Sequence, residues 1–363
     1  MIVETPKRSH YPALDGLRGI AILLVVLYHN FGFIRHSYFG WLGVDLFFVL
    51  SGFLITDILM NAVGRPNFLR NFYMRRVLRI FPLYYLSLII FLFVLPAFTS
   101  PFIKWDYYTD NQFFLWTYLQ NWLYIFKDPN NAHILNHYWS LAVEEQFYIF
   151  WPLAILLLKK PKYLLIFICT LLSLVILFRF GLWIYKIENL AYYNLYTFTR
   201  IDGICIGCLV SLLKHMNFEF IKKNTAFIVL SFAAINFIFY FINRFYSFSF
   251  PYTSLMGYST FAMIFGLLVY EAVNRETKII NFIFNIPLLK FFGRISYSFY
   301  IFHWPVYLIM NSYLLDIVKT QIRGIGAHLA ISITATAGAI LLSWLSYHYF
   351  ESYFLKLKIK YSD

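Results

Sequence analysis

Two side chains in the first long apolar stretch could support acid–base chemistry. The segment LDGLRGIAILLVVLYHN carries Arg18 near its start and His29 near its end. On a helix this separation is about three turns, so both side chains would project from one face roughly 16 Å apart. Histidine has an unperturbed pKa of about 6.5, which makes His29 the candidate general base. The alternative is a topology-determining arginine and a structural histidine near the outer interface.

Three carboxylates also lie in apolar sequence, where a charge needs a partner and often marks a functional site. Asp45 interrupts GWLGVDLFFVLSGFL, and its expected partner is His29 or an arginine of another helix. Glu144 and Glu145 are adjacent in HYWSLAVEEQFYIFWP. Helix neighbours point about 100° apart, so one glutamate can face the interior while the other pairs elsewhere. A structural ion pair is the alternative for Asp45, whereas a functional or supporting role is favoured for the glutamates.

A cluster of arginines in RNFYMRRVLRIFPLYY predicts an anion-binding surface. Arg75, Arg76 and Arg79 lie close together immediately before an apolar stretch. Guanidinium groups stay protonated and bind phosphate bidentately, which suits a phosphate-bearing cofactor. Topology determination or the binding of anionic lipid is the alternative.

Further ionisable residues in apolar stretches are interpreted as structural pairs ahead of catalytic groups. They are Arg200 and Asp202 in FTRIDGICIG, His303 in GRISYSFYIFHWPV, and Glu351. His303 precedes Trp304 and Pro305, where a helix is locally loosened.

Membrane-spanning helices are the elements that must position these residues. The chain of 363 residues is 61% hydrophobic and 13% charged, whereas a soluble domain carries roughly 25% charged residues. The net charge of +13 comes in short clusters between apolar runs, which is typical of membrane loops and disfavours nucleic-acid binding. Cys205 and Cys208 form a single CIGC pair, so packing or lipid-facing residues are predicted there and no metal site.

A bilayer span needs about 20 mostly apolar residues, and about ten stretches qualify. They lie near 14–34, 40–61, 77–97, 138–158, 162–180, 191–213, 224–243, 253–273, 288–312 and 327–351. Because the connections are short, residues 1–363 are predicted to form a single all-α integral-membrane domain. If the amino terminus is inside, Lys and Arg concentrate in the inside segments, which places both termini in the cytoplasm. An eleventh span at 113–126 would erase this bias, so that aromatic segment is predicted to lie along the outer interface.

Six blocks of the sequence resemble, in order, the motifs of the acyltransferase 3 family, which contains membrane O-acetyltransferases that modify O-antigen, peptidoglycan and other glycans. The blocks are YPALDGLRGIAILLVVLYHN, GWLGVDLFFVLSGFLIT, FYMRRVLRIFPLYYLSL, HYWSLAVEEQFYIFWPL, RIDGICIG and FGRISYSFYIFHWPV. They run from residue 11 to about residue 307. The family's Arg or Lys followed after ten residues by His, its arginine cluster and its paired glutamates fall on Arg18 and His29, Arg76 and Arg79, and Glu144 and Glu145.

The resemblance implies ten core helices, acyl-CoA as a donor from the cytoplasm and an acceptor hydroxyl outside. Acetyl is the most frequent acyl group in the family, and the acceptor would be a surface glycan or a lipid-linked saccharide. Many members carry a soluble SGNH hydrolase-like domain after the last span. No such domain is expected in this sequence, so any second catalytic step would lie elsewhere or be absent. Members often end the last span with Glu, one residue and Pro, whereas Ser352 and Tyr353 follow Glu351 here.

The predicted function is therefore that of a multi-pass O-acyltransferase in the inner (plasma) membrane. His29 would act as the base, and Glu144, Glu145 or Asp45 would orient its imidazole. The phosphates of acyl-CoA would be held without a metal by Arg75, Arg76 and Arg79, with Arg18 nearer the pantetheine or pyrophosphate. The rival hypotheses are a proton-coupled transporter or glycan flippase, in which buried ionisable groups would carry protons, and a structural subunit of a glycan-assembly complex.

Overall fold

The computed structural model describes residues 11–99, 105–127, 133–216, 219–245, 251–274, 278–322 and 324–361, which contain helices and no strand. The predicted all-α class is confirmed. The longer helices are α1 (Pro12–Asn30), α2 (Leu42–Ala62), α3 (Phe68–Ile89), α4 (Trp139–Leu158), α5 (Pro161–Ile184), α6 (Asp202–His215), α7 (Glu219–Phe245), α8 (Tyr258–Asn274), α9 (Pro287–Arg294), α10 (Ser296–Gln321) and α11 (Ile325–Leu345).

Short helical segments connect or extend these helices. Turns of 3₁₀ helix cover Ser37–Trp41, Asn136–Tyr138 and Lys358–Tyr361. Turns of π-helix extend α3 and α11 and precede α8, at Ile90–Val94, Ser346–Glu351 and Thr253–Gly257. The remaining short α-helices are Pro96–Thr99, Asp106–Thr109, Gln112–Trp116, Gln120–Phe126, Ala191–Asn194, Thr197–Arg200, Lys278–Phe284 and Ser352–Leu357.

Eight helical stretches within the described residues are long and apolar enough to cross a membrane. They are Pro12–Asn30, Ser37–Ala62, Phe68–Val94, Asn136–Leu158, Pro161–Ile184, Thr253–Asn274, Ser296–Gln321 and Ile325–Tyr361. Each overlaps a stretch that hydropathy predicts, although the bounds differ by eight to ten residues at 77–97, 288–312 and 327–351. The multi-pass architecture is confirmed at this level, whereas the count of ten spans and the cytoplasmic location of the termini stay predictions.

The two other predicted spans take a different form. The stretch 191–213 is divided into Ala191–Asn194, Thr197–Arg200 and α6, because Tyr196 has an extended backbone (φ −74°, ψ 136°) that interrupts the helical hydrogen bonds. The stretch 224–243 lies within α7, whose apolar part is the shorter segment Phe227–Ile242.

The aromatic segment 113–126 does not form a span. It contains the helices Gln112–Trp116 and Gln120–Phe126, which have 5 and 7 residues. Tyr118 between them has a φ of 55°, a left-handed conformation that an α-helix cannot continue through. A span needs about 20 residues, so the prediction against an eleventh span is confirmed. The location of this segment at the outer interface stays a prediction.

Helices α2 and α6 pack closely through glycine. A Cβ atom on Gly52 of α2 would overlap the carbonyl oxygen of Ile204, and one on Gly207 of α6 would overlap that of Val49. Small residues allow such close backbone approach in lipid, where apolar surface alone gives little drive for helix association. Cys208 is buried in the same contact, with its Sγ 3.5 Å from the Gly52 carbonyl oxygen. The prediction that Cys208 of the CIGC motif is a packing residue is therefore confirmed.

We expect Gly52→Ala to destabilise the helix bundle by about 1–3 kcal/mol, because the new methyl group displaces the α6 backbone. The measurement is the thermal unfolding midpoint of the purified protein in detergent. Gly181→Ala in α5 is the matched control, since no atom lies within 4 Å of the added Cβ. Equal midpoints for the two variants would show that the α2–α6 contact is looser than described.

Candidate active site

A cavity between five helices collects most of the predicted site residues. It holds about 790 Å³ of empty space, part of it open to solvent. Its lining consists of Arg18 from α1; Val44, Phe47, Phe48, Ser51 and Leu54 from α2; Arg76, Arg79 and Ile80 from α3; Ser140, Leu141, Glu144, Glu145 and Tyr148 from α4; and Ser296, Tyr297 and Tyr300 from α10. The structure thus brings Arg18, Arg76, Arg79, Glu144 and Glu145 together.

Two arginines of α3 present their side chains to the cavity. Arg76 and Arg79 are three positions apart and therefore lie on the same helix face. Arg75, one position earlier, points in another direction and is not among the lining residues. The guanidinium carbon of Arg76 lies 5.7 Å from the ring centroid of Phe72 and 5.4 Å from that of Tyr148. Cation–π contacts of this kind hold the Arg76 side chain in place.

The two glutamates lie on the α4 wall of the same cavity. Glu144 accepts hydrogen bonds from Ser51 Oγ at 2.9 Å and from the Tyr148 hydroxyl at 3.0 Å. Glu145 is buried and also lines the cavity. With Arg18 reaching in from α1, three guanidinium groups face two carboxyl groups. The cavity therefore keeps a cationic excess that favours an anionic ligand.

His29 belongs to a cluster of three histidines from distant parts of the chain. Its ring centroid lies 5.1 Å from that of His303 and 6.3 Å from that of His137, and the latter two are 5.2 Å apart. The Trp304 ring lies 5.1 Å from His29. Nδ1 of His29 lies 3.0 Å from the Val25 carbonyl oxygen and 3.2 Å from Nε2 of His303. The partners of this nitrogen are thus a carbonyl group and an imidazole, not a carboxylate.

Tyr300 connects the cavity to the histidine cluster. Its hydroxyl lies 2.6 Å from Ser140 Oγ and donates a hydrogen bond of 2.7 Å to the His137 carbonyl oxygen. Its ring centroid lies 5.4 Å from that of His137 and 5.7 Å from that of His303. His29 does not itself line the cavity, whereas Ser140 and Tyr300 do. Tyr300 therefore joins the arginine-lined cavity to two members of the cluster, and the predicted base lies beyond this link, outside the cavity.

His137 is the unsatisfied member of the cluster. Neither of its ring nitrogens makes a hydrogen bond of good geometry among the described residues, although the side chain is buried beside the backbone of Tyr300 and Ile301. Leaving a buried polar group unpaired costs about 1–3 kcal/mol, and such groups call for an explanation, catalytic roles and bound water among them. Within the described part of the chain, no three His, Cys, Asp or Glu side chains are arranged to hold a metal ion.

Asp45 lies in a separate network of buried ion pairs. Its Oδ1 is 2.5 Å from Nη2 of Arg200, and Asp202 pairs with Arg179 at 2.9 Å. Tyr258 lies beneath the Arg200 guanidinium, with its ring centroid 3.7 Å from Cζ. Of the two partners expected for Asp45, the structure contains the arginine. Asp45 is therefore positioned to balance charge inside the bundle, and none of its hydrogen bonds in the described residues goes to His29.

A family model described as an acyltransferase domain matches residues 11–348 of the chain. The chain belongs to this acyltransferase family. The matched residues include every helix that lines the cavity or carries a histidine of the cluster. The family predicted from the six sequence blocks is confirmed. No solved structure matches the chain.

Three relatives show what this acyltransferase-family chain is similar to. A "putative O-acetyltransferase" of Staphylococcus aureus (strain COL) is 32% identical over 98% of the chain, which spans 59% of that relative's length. The peptidoglycan O-acetyltransferase OatA of Listeria monocytogenes is 29% identical over 95% of the chain, and a "putative peptidoglycan O-acetyltransferase" of Bacillus subtilis is 28% identical over 97%. The chain spans 56% of the length of each of these two relatives.

Sequence reasoning underrated two residues of this acyltransferase-family site. His303 is interpreted there as a structural group, yet its ring contacts His29. His137 attracts attention only as the residue preceding the glutamate-bearing helix. The available signal was the shared setting of the three histidines, each of which lies within an aromatic segment of a family block.

We expect Asp45→Asn to lower the free energy of unfolding by about 3–5 kcal/mol, because it leaves the buried Arg200 charge uncompensated. The measurement is the thermal midpoint in detergent, or the yield of monodisperse protein if the variant fails to fold. Asp15→Asn is the control, since the Asp15–Arg18 pair is partly exposed and separated by 3.6 Å, and such pairs contribute about 0–1 kcal/mol. Similar losses in the two variants would contradict a structural role for the Asp45–Arg200 pair.

Proposed function

We propose that this protein is a transmembrane O-acyltransferase that moves an acyl group, acetyl in the first instance, from cytoplasmic acyl-CoA to a hydroxyl of an extracytoplasmic glycan. The observation that carries the proposal is the arrangement of two sites. An arginine-lined cavity adjoins a histidine cluster, and Tyr300 stands between them. The inner (plasma) membrane is the location at which both substrates are within reach.

The cavity is proposed as the donor site. It is open to solvent on one side and is lined by three guanidinium groups, so a charged part of a ligand can reach them from outside. Arg76 and Arg79 would bind the phosphates of acyl-CoA through charge-assisted hydrogen bonds, with Arg18 nearer the pantetheine or pyrophosphate. Arg75 lies outside the lining, and its contact with the donor stays a prediction.

The histidine cluster is proposed as the place of acyl transfer. His29 takes the proton of the acceptor hydroxyl as that oxygen forms a bond with the thioester carbonyl carbon. The carbon–sulfur bond then breaks, and the leaving thiolate takes the proton from His29 to give free CoA. The oxyanion of the tetrahedral intermediate needs a hydrogen-bond donor, and the unsatisfied ring of His137 is available for it.

The glutamates are proposed to act on the donor side. Glu144 is held by Ser51 and Tyr148, and Tyr148 also contacts Arg76. This contact chain ties the carboxylate to the arginine and limits the directions in which the guanidinium can point. Orientation of the His29 imidazole, which the sequence assigned to a carboxylate, would fall to other groups.

The acceptor class is supported by the names of the relatives. Two of them are described as acting on peptidoglycan and one as an O-acetyltransferase without a stated acceptor. Peptidoglycan or another surface glycan, or its lipid-linked precursor, is therefore the proposed acceptor, and lipid would surround the eight apolar helices.

We expect His29→Ala to reduce acyl transfer by about 10²–10⁴-fold, the range that a general base contributes. The measurement is O-acetylation of surface glycans by mass spectrometry, in cells that lack the gene and express the variant at wild-type level. His348→Ala is the control, because that histidine is exposed and far along the chain from the cluster. Normal acetylation by His29→Ala would end the proposal and leave a transporter or a structural subunit as the better explanation.

We expect Arg76→Ala to raise the apparent KM for acyl-CoA by roughly 10- to 100-fold, because a hydrogen bond to a charged group contributes about 1.5–3 kcal/mol. The KM for the acceptor should stay within about twofold. The measurement is release of free CoA by purified protein, together with thermal stabilisation by acyl-CoA. Arg70→Ala is the matched control, since Arg70 is on the same helix but does not line the cavity. An unchanged affinity for acyl-CoA in Arg76→Ala would place the donor elsewhere.

A further inference from the structure

The hydrogen bonds of two histidines determine where their protons lie. His29 and His303 use the same local arrangement, in which Nδ1 approaches a carbonyl oxygen of the preceding helical turn. The distances are 3.0 Å from His29 Nδ1 to the Val25 oxygen and 3.1 Å from His303 Nδ1 to the Phe299 oxygen. His303 Nδ1 also lies 2.8 Å from the Tyr300 oxygen.

The proton of His303 is placed by these carbonyl groups. A carbonyl oxygen only accepts hydrogen bonds, so Nδ1 of His303 must carry a proton in order to interact with either oxygen. The His303 side chain is fully buried, and a buried cation without a paired anion is costly. His303 is therefore neutral, and its Nε2 has a lone pair that accepts.

The proton of His29 follows from the same reasoning. Its Nδ1 faces two acceptors, the Val25 carbonyl oxygen at 3.0 Å and His303 Nε2 at 3.2 Å. A proton on Nδ1 satisfies both, whereas a lone pair there would oppose both. In neutral His29 the lone pair consequently lies on Nε2, for which the described residues provide no hydrogen-bond partner.

We propose that His303 is a positioning residue that holds His29 in the Nδ1–H tautomer and so leaves Nε2 as the atom that accepts the proton of the acceptor hydroxyl. The catalytic part of this inference rests on the proposed function, and the tautomer does not. When Nε2 of His29 gains the proton, Nδ1 keeps its own and its two hydrogen bonds. His303 neither gains nor loses a proton at any point in the transfer.

A neutral imidazole thus takes the place that a carboxylate occupies in a serine-protease triad. A carboxylate would stabilise the imidazolium that forms during transfer, but it would also bring a buried negative charge into the bundle. His303 fixes the ring orientation without adding a charge to the apolar bundle. The nearest carboxylates of the predicted site are committed to other partners, Glu144 to Ser51 and Tyr148 and Asp45 to Arg200.

The tautomer is tested directly by nitrogen NMR. The full chain is labelled with ¹⁵N-histidine, placed in lipid bilayers and compared with His29→Gln, whose missing signals identify the His29 nitrogens. We expect Nδ1 of His29 to be protonated and Nε2 to be unprotonated, with a smaller population of the Nδ1–H tautomer in His303→Leu, where the Val25 carbonyl group is the acceptor that is left. A wild-type spectrum with the proton on Nε2 would overturn the proposal, and this spectrum decides the question even if the His303 variants do not fold.

The positioning role is tested by replacing His303 with side chains of different length. The amide oxygen of His303→Gln can take the place of Nε2 and accept from His29, whereas His303→Asn can bond its own helix but is too short to reach His29. We expect kcat to fall about tenfold or more in His303→Asn and His303→Leu, in line with the loss of one hydrogen bond. His303→Gln should recover most of it, and the KM for acyl-CoA should not change.

The control for these variants is His348→Leu. His348 has the same Nδ1 contact with a carbonyl oxygen four residues earlier, 2.9 Å from Trp344, but is exposed, so its loss should leave kcat unchanged. If kcat fell equally in His303→Gln and His303→Asn, and fell in proportion to their thermal midpoints, His303 would have a purely structural role. This result would overturn the proposal. If His29→Ala keeps full transfer and the spectrum shows the proton on Nδ1, the proposed function is refuted and the tautomer stands. If His29→Ala loses transfer and the spectrum shows the proton on Nε2, only the tautomer is refuted.

Discussion

A charged or polar group inside an apolar helix bundle must find its partner within the protein, because lipid offers none. The Asp45–Arg200 pair joins α2 to the segment that leads into α6, and Asp202 pairs with Arg179 of α5. These pairs fix the helices that carry one wall of the cavity. The same rule acts in the histidine cluster, where α1 and α10 meet through a contact between two imidazoles.

The cavity and the cluster differ in what they are able to recognise. The cavity offers fixed positive charge, supplied by guanidinium groups that stay protonated. In the cluster, Nδ1 of His29 and Nδ1 of His303 each face a backbone carbonyl group of the preceding helical turn. Helices α4 and α10 contribute to the cavity, and His303 of α10 and His137, in the turn before α4, extend the same two elements to the cluster. The sites proposed for binding and for proton transfer are thus separated in space but are built on the same two elements.

The parts of this arrangement that local sequence controls could be predicted. Apolar length identifies eight spans, and residue type identifies Arg18, Arg76, Arg79, Glu144 and Glu145 as cavity groups. Average hydropathy misses the division of 191–213, because one extended residue, Tyr196, interrupts a stretch whose average composition is that of a span.

The meeting of distant residues could not be predicted. Positions 29, 137 and 303 come together only through tertiary packing, and their spacing in the sequence carries no period that indicates it. The choice between His29 and an arginine as the partner of Asp45 stayed open for the same reason. Tertiary packing also determines which face of α3 is turned toward the cavity. As a result Arg76 and Arg79 line the cavity and Arg75 does not.

The hydrogen bond from Tyr300 ends on the main chain of residue 137, not on its side chain. Any amino acid at 137 would supply the same carbonyl oxygen, so this link between the helices tolerates replacement at one end. At position 300 a hydroxyl at the tip of a phenyl ring is required, since phenylalanine would remove the donor and serine would fall short. Among natural variants that keep this bond, position 137 should therefore accept different residues, whereas position 300 should remain tyrosine.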